Sequence, residues 1–195
     1  MRKIRLALFA SGSGTNAENI IKYFQNHQKI EVASVFSNNP DAYVITRAQH
    51  YYVPVFTFTK ADMNNSNRLL DMLHDQQIDV IVLAGFLWLI PNHIIEDFNN
   101  RIINIHPALL PNYGGKGMYG DRVHKCVWEN AESETGITIH KVNEHYDQGQ
   151  VLFQETVELQ RSDTPDIIAS KVHELEYKHY PGVIEQFVLG NVYKT

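Results

Sequence analysis

The block Asn104-Ile105-His106-Pro107 pairs an amide with an imidazole at a spacing that suits chemistry on a carbonyl group. It lies at the end of a strand expected over residues 101–105, and residues two apart on a strand share one face, about 6.6 Å apart. In parallel sheets, ligands bind beyond the carboxyl ends of the strands. Asn104 and His106 are therefore expected to polarise one carbonyl oxygen from two directions. Alternatively, Asn104 caps the following turn and His106 donates to a backbone carbonyl.

Asp147 is the expected third member of this set. It lies in Asp147-Gln148-Gly149, a turn between the last two expected strands, where Gly149 is free to adopt a positive φ. A carboxylate beside a histidine favours the imidazolium and raises the histidine pKa. Together, Asn104, His106 and Asp147 form a candidate acid–base and oxyanion set. Taken alone, an Asp in such a turn is more often structural.

The first loop has the spacing of an anion site. Gly12, Gly14 and Ala17 fit G-x-G-x-x-A between an expected strand and helix, where backbone N–H groups and a helix N-terminus suit an anion. A dinucleotide site also needs an acidic residue about 20 positions on, and residues 35–39 contain none. We therefore favour a terminal phosphate monoester, with Asn16 adding an amide donor. A tight turn with a Ser/Thr cap and no ligand is the alternative.

Strand-like and helix-like stretches alternate along the chain, which predicts an α/β fold. We expect a Rossmann-like, doubly wound, mostly parallel sheet with helices on both faces and antiparallel strands added near the C-terminus. Pro181 is expected to break or kink the last helix. The strands are expected at residues 4–10, 32–36, 53–56, 80–84, 101–105, 135–142 and 151–159, and the main helices at 16–24, 43–50, 67–77, 121–130 and 164–189.

Composition excludes several classes of protein. The 195 residues predict one domain over 1–195. With 17 Lys and Arg against 22 Asp and Glu, the net charge of −5 argues against a nucleic-acid binder. The longest apolar run, at 80–90, is too short to cross a membrane. One cysteine, Cys126, fits a reduced cytoplasmic protein.

Other chemistries find little support. The ten histidines show no metal-ligand spacing, so no metal is expected, and neither G-x-S-x-G nor the Walker lysine is present. Cys126 is expected to pack rather than react. Trp88, with Leu87 and Leu89, either lines an apolar slot for a flat ring or belongs to the core.

Taken together, the motifs resemble the phosphoribosylglycinamide formyltransferases over nearly the whole chain. The N-I-H-P-x-L-L-P block with a later D-x-G is typical of folate-dependent formyltransferases, and the S-G-x-G-T-N opening points to the glycinamide ribonucleotide branch. The motifs are Ser11-Gly12-Ser13-Gly14-Thr15-Asn16, Val35-Phe36-Ser37-Asn38, Val82-Leu83-Ala84-Gly85-Phe86, Asn104-Ile105-His106-Pro107-Ala108-Leu109-Leu110-Pro111, Gly136-Ile137-Thr138-Ile139-His140 and Asp147-Gln148-Gly149.

The resemblance implies transfer of a formyl group from 10-formyltetrahydrofolate to the amine of glycinamide ribonucleotide, a step of de novo purine synthesis. It implies small-molecule partners, no nucleic acid or membrane, and a monomer or homodimer. Residues 1–100 would form the ribonucleotide-binding half and residues 101–195 the catalytic and folate-binding half. Rival interpretations are formyltetrahydrofolate hydrolase, which adds an N-terminal regulatory domain, methionyl-tRNA formyltransferase, which adds a basic domain, and a non-catalytic nucleotide-binding module.

The resemblance also implies roles for individual residues. Asn104 and protonated His106 would stabilise the oxyanion, while Asp147 keeps His106 charged and relays a proton through water. The phosphate would be held by Gly12, Ser13, Gly14, Thr15 and Asn16, the ribose by His173 and Glu176, and the folate by Leu87, Trp88, Leu89, Ile90, Tyr146 and Asp147.

Two features depart from the family pattern. The segment Gly114-Gly115-Lys116-Gly117-Met118-Tyr119-Gly120 is longer and richer in glycine than usual, and we expect a mobile lid over the folate. Trp88 stands where many relatives carry arginine, so contacts to the folate tail are expected to differ.

Overall fold

The computed structural model describes residues 2–64 and 67–192. The strands are β1 (Ile4–Phe9), β2 (Ile30–Ser37), β3 (Val55–Thr57), β4 (Val80–Leu83), β5 (Ile102–His106), β6 (Glu134–Lys141) and β7 (Val151–Glu158). The helices are α1 (Thr15–Phe24), α2 (Val44–His50), α3 (Lys60–Asn64), α4 (Arg68–Asp75), α5 (Asn92–Asp97), α6 (Asp121–Glu129) and α7 (Pro165–Val192).

The seven strands form one sheet in the order β3-β2-β1-β4-β5-β6-β7. Pairing is parallel from β3 through β5 and antiparallel between β5 and β6 and between β6 and β7. The expected fold class is therefore confirmed, including the antiparallel strands near the C-terminus. Among the residues described, no helix has the length and apolar character needed to cross a membrane.

The sheet separates two apolar layers. Along β1, Leu6 and Leu8 face one cluster, while Ala7 and Phe9 face the other. Side chains of α1, α2, α6 and α7 contribute to the first cluster, and those of α3, α4 and α5 to the second. Alternate residues of a strand point to opposite faces, so a strand buried on both faces is apolar throughout, as β4 is.

Pro181 does not break the last helix, because α7 continues past it to Val192. A proline inside a helix cannot donate a hydrogen bond to the carbonyl four residues earlier, which here belongs to Tyr177. The side-chain amide of Asn19, on α1, donates to that carbonyl at 2.9 Å. The acceptor that Pro181 leaves free thus becomes a contact between two helices.

Tyr180 attaches α7 to the centre of the sheet. Its side chain is fully buried, and its hydroxyl donates to the carbonyl of Leu83 at 2.9 Å and lies 3.3 Å from the carbonyl of Ile103. The strands β4 and β5 both end next to the functional side chains described below. The Tyr180 hydroxyl therefore holds in place the two strand ends from which that site is built.

Replacing Tyr180 with Phe should lower the free energy of unfolding by about 1–3 kcal/mol, since the buried Leu83 carbonyl loses its donor. Urea denaturation measures the loss. Tyr23→Phe is the control, because the Tyr23 hydroxyl contacts Glu185 at the surface and its removal should change stability by less than about 0.5 kcal/mol. Equal losses in the two variants would contradict a structural role for the buried hydroxyl.

Candidate active site

The candidate catalytic side chains lie where the sheet changes from parallel to antiparallel pairing. In the register of β5 and β6, Asn104 is opposite His140 and His106 is opposite Thr138. Ile105 points the other way, into the core. The expected common orientation of Asn104 and His106 is therefore observed, and both line one cavity.

Asp147 approaches this pair from the loop between β6 and β7. Its Oδ1 lies 3.6 Å from Nδ1 of His106 and 3.7 Å from Nε2 of His140. Its Oδ2 accepts a hydrogen bond from the backbone N–H of Gly115 at 2.9 Å. The carboxylate thus joins two strands and the glycine-rich segment 114–120.

The pKa values of the His106–Asp147 pair reflect burial as well as charge. Burial acts to raise the pKa of Asp147, but the contact with His140, the charge of His106 and the N–H of Gly115 together hold it below its usual value. Burial lowers the pKa of His106, which is only 3% exposed, and this outweighs the opposite effects of Asp147 and the Tyr113 carbonyl. Asp147 raises the pKa of His106 as expected, but burial outweighs it, so the expectation that Asp147 keeps His106 charged is wrong for this structure.

Both ring nitrogens of His106 face acceptors. Nε2 lies 2.8 Å from the carbonyl oxygen of Tyr113, and a carbonyl can only accept, so Nε2 carries a hydrogen and donates. Nδ1 faces Asp147. Because the net pKa is lowered, the resting imidazole is neutral at pH 7, with Nε2 as its donor.

His140 is a site residue that the sequence arguments did not single out. Its Nδ1 lies 2.8 Å from the carbonyl of Lys141, so Nδ1 carries the hydrogen and Nε2 accepts from the Asn104 amide at 3.1 Å. This contact fixes which end of the Asn104 amide points at His140. The signal was the G-I-T-I-H motif, but only the β5–β6 register shows that His140 reaches Asn104.

Gly149 is required for a different reason from the one expected. The positive φ in this turn belongs to Asp147, at 56°, and Asp is one of the few non-glycine types that adopt it with some frequency. At Gly149, an added Cβ would lie 1.7 Å from the carbonyl oxygen of Lys141. Close approach of two backbones therefore excludes a side chain there.

The first loop lines the same cavity. Gly14 is the N-cap of α1, with φ 74° and no side-chain cap, so the alternative of a Ser/Thr cap is contradicted. An added Cβ at Gly14 would lie 2.4 Å from Val44. The loop therefore needs glycine for both conformation and space.

Asn16 does not point its amide donor freely at a ligand. Its Nδ2 donates to Glu176 at 2.8 Å, while its Oδ1 is buried without a partner. Glu176 is 5% exposed, and burial raises its pKa despite the opposing effects of Asn16 and His173. The first loop and α7 are thus joined at the cavity wall.

A cavity of about 600 Å³ brings together every residue that the sequence arguments proposed for the site. It also includes Lys116, from the segment expected to cover the folate, and His124 and His140, which those arguments did not propose. Within the described part of the chain, no group of three or more His, Cys, Asp or Glu side chains is arranged to hold a metal ion. The predicted residues in the wall are Gly12, Ser13, Gly14, Thr15, Asn16, Leu87, Trp88, Leu89, Ile90, Asn104, His106, Tyr146, Asp147, His173 and Glu176.

Asp147→Asn should lower the pKa of His106 further, because it removes a charge that favours the imidazolium. Asn also tolerates the positive φ. Histidine titration by NMR, with the His106 signal assigned through His106→Gln, measures the midpoint. Glu144→Gln is the control, since Glu144 is exposed and pairs with His145. An unchanged His106 midpoint in Asp147→Asn would show that the two side chains do not interact.

His124 should make stability depend on pH. It is 2% exposed, and burial together with His173 lowers its pKa to about 4. Between that value and the ordinary 6.5, the unfolded chain takes up the proton and the folded chain does not, so stability falls as the pH drops through this window. His124→Gln should lose less stability than the wild type between pH 7.5 and pH 5 in urea denaturation. Identical losses would exclude this contribution.

Comparison with known proteins relates this site to a family. Residues 4–184 match the family described as formyl transferase. The chloroplastic phosphoribosylglycinamide formyltransferase of Arabidopsis thaliana is 39% identical over 189 residues, which cover 94% of this chain but 65% of the relative. The phosphoribosylglycinamide formyltransferase of Bacillus subtilis (strain 168) is 32% identical, with 94% of each chain covered.

Solved structures show the same similarity. The phosphoribosylglycinamide formyltransferase of Streptococcus pneumoniae TIGR4 superposes with a TM-score of 0.83 at 34% identity, covering 96% of this chain and 99% of the other. The chain thus spans nearly the whole of this bacterial structure and less than two thirds of the plant relative.

Proposed function

The chain belongs to the formyl transferase family, and we propose that it transfers the formyl group of 10-formyltetrahydrofolate to the amine of glycinamide ribonucleotide. The products are N-formylglycinamide ribonucleotide and tetrahydrofolate, in de novo purine synthesis. One observation carries the proposal. The wall of a single cavity combines a glycine-rich loop at a helix N-terminus, the side chains of Asn104, His106 and Asp147, and an apolar stretch at 87–90.

The first loop suits a single phosphate. Helix α1 begins at Thr15, and the first N–H groups of a helix have no partners within it, so they attract an anion. Ser37 ends β2 without a carboxylate that would hold the ribose of a dinucleotide. We assign Glu176, which contacts Asn16 of this loop, and His173, which also lies on α7, to the acceptor's ribose.

Another part of the cavity wall suits a flat aromatic ring. Leu87, Trp88, Leu89 and Ile90 line it together with Tyr146. The volume of about 600 Å³ is within the usual range for small-molecule sites. We propose that these residues enclose the pterin, and that the folate supplies the formyl carbon that the amine attacks.

Asn104 and His106 then act on the formyl oxygen. As the amine attacks, negative charge grows on that oxygen, and donors that are already oriented stabilise it. His140 fixes the amide of Asn104. Nε2–H of His106, which donates to the Tyr113 carbonyl in this structure, donates to the formyl oxygen instead when substrates are bound.

Asp147 relays a proton from the attacking amine to the departing nitrogen. The attacking amine must lose a proton and the departing nitrogen must gain one, and an ionised carboxylate between the two substrates can serve as the relay through water. Its lowered pKa keeps Asp147 ionised at neutral pH. The same charge stabilises the His106 imidazolium if that ring takes up a proton during transfer.

We further propose that residues 1–195 act as one cytoplasmic domain. The division at residue 100 is not sharp, because Glu176 from the second half contacts Asn16 in the first. The binding surface for the acceptor is shared by the two halves of the chain.

A spectrophotometric assay of 10-formyltetrahydrofolate, with and without glycinamide ribonucleotide, tests the proposal. Loss of the donor that depends on the acceptor identifies the transferase. Loss without the acceptor identifies a hydrolase instead, and binding of either molecule without turnover identifies a non-catalytic module.

His106→Ala should lower kcat by about 10²-fold or more in this assay, with little change in stability. His74→Ala is the control, because His74 contacts Asp97 on the surface, outside the cavity. Turnover by His106→Ala near the wild-type rate would remove His106 from the mechanism.

A further inference from the structure

We propose that Arg47 is a positioning residue for the acceptor's phosphate. It lies on α2 and holds the carbonyl of Ser13, so that the first loop keeps its N–H groups turned towards the phosphate. The inference rests on the proposed function, which assigns the phosphate to this loop.

Three successive carbonyls of the loop are each held by a hydrogen-bond donor. The N–H of Val44 donates to the carbonyl of Gly12 at 3.1 Å, Nε of Arg47 to that of Ser13 at 2.9 Å, and the N–H of Glu18 to that of Gly14 at 2.9 Å. In a trans peptide, the C=O of one residue and the N–H of the next point in opposite directions. With these carbonyls held, the N–H groups of residues 13–15 therefore point away from the three donors, towards the side where we place the phosphate.

Only the middle carbonyl depends on a side chain. Backbone N–H groups of Val44 and Glu18 hold the outer two, and substitution leaves such groups in place. Nε of Arg47 holds the Ser13 carbonyl, so the orientation of the Gly14 N–H rests on this guanidinium. Gly14 is also the N-cap of α1, where the helix N-terminus favours an anion.

The guanidinium of Arg47 is itself fixed in place. Its NH1 forms an ion pair with Glu18, and Glu18 also contacts Lys22 Nζ at 2.9 Å and the Tyr51 hydroxyl at 3.1 Å. The guanidinium carbon lies 5.0 Å from the centre of the Tyr43 ring. With its charge paired to Glu18 and its Nε committed to Ser13, Arg47 acts through the loop.

Steady-state kinetics of Arg47→Met test the inference. The KM for glycinamide ribonucleotide should rise about 10-fold, whereas kcat and the KM for the folate should stay within about twofold. Activity on glycinamide riboside, the acceptor without its phosphate, should have an unchanged kcat/KM. Arg47→Lys should recover part of the affinity, because an ammonium reaches one of the two acceptors but lacks the planar fork that reaches both.

Glu18→Gln separates positioning from direct contact. If Arg47 positions the loop, loss of the Glu18 charge loosens the guanidinium and raises the KM for the ribonucleotide. If Arg47 binds the phosphate directly, the same substitution frees its charge and lowers that KM, which would overturn the inference. This variant and Arg47→Lys also keep the test decisive if Arg47→Met folds poorly.

Arg5→Met is a matched control. Arg5, at the other end of β1, also donates from Nε to a backbone carbonyl, that of Gln76, and pairs through NH1 with a glutamate, Glu31. Its loss should lower the melting temperature and leave every KM unchanged. An equal rise in the ribonucleotide KM for Arg5→Met would reduce the Arg47 effect to general stability and overturn the inference.

The two proposals fail in different ways. If the wild type formylates no ribonucleotide, the proposed function is wrong. If the wild type is active but Arg47→Met binds the ribonucleotide normally, or loses riboside activity to the same extent, Arg47 does not position the phosphate loop.

Discussion

One largely buried negative charge, on Asp147, governs how the site is assembled. A carboxylate largely removed from water needs polar groups around it, or it loses its charge. Here the backbone N–H of Gly115 donates to it, and the rings of His106 and His140, on two strands, lie 3.6 Å and 3.7 Å from it. The strand register and both covering loops must therefore be correct together before this charge is tolerated. Catalytic geometry and folding are coupled through it.

Local patterns sufficed for the sheet and for much of the site. Apolar runs marked central strands such as β1 and β4, and the two-residue spacing of Asn104 and His106 placed both side chains on one face of β5. Gly14 could be identified because its conformation is dictated within a few residues. Such features are encoded locally, so they can be read from a single sequence.

Features that depend on contacts distant in sequence could not be read in this way. His140 reaches Asn104 only through the register of two strands, and Gly149 is required by the backbone of Lys141 rather than by its own φ. The pKa of His106 follows from how deeply the ring is buried, which outweighs the neighbouring carboxylate. The sequence shows that a carboxylate is present, but it does not show how deeply the His106 ring is buried.

Pro181 has a consequence for the alignment of the two helices that flank the phosphate loop. The carbonyl of Tyr177, which has no backbone donor because residue 181 is proline, accepts from Asn19 and so ties α1 to α7 at this level. One turn earlier on α1, Asn16 then falls level with Glu176. Pro181, a residue type usually regarded as a helix breaker, thus helps to set the position of α1 relative to α7 along the helix axes. These two helices carry Asn16 and Glu176 of the substrate pocket.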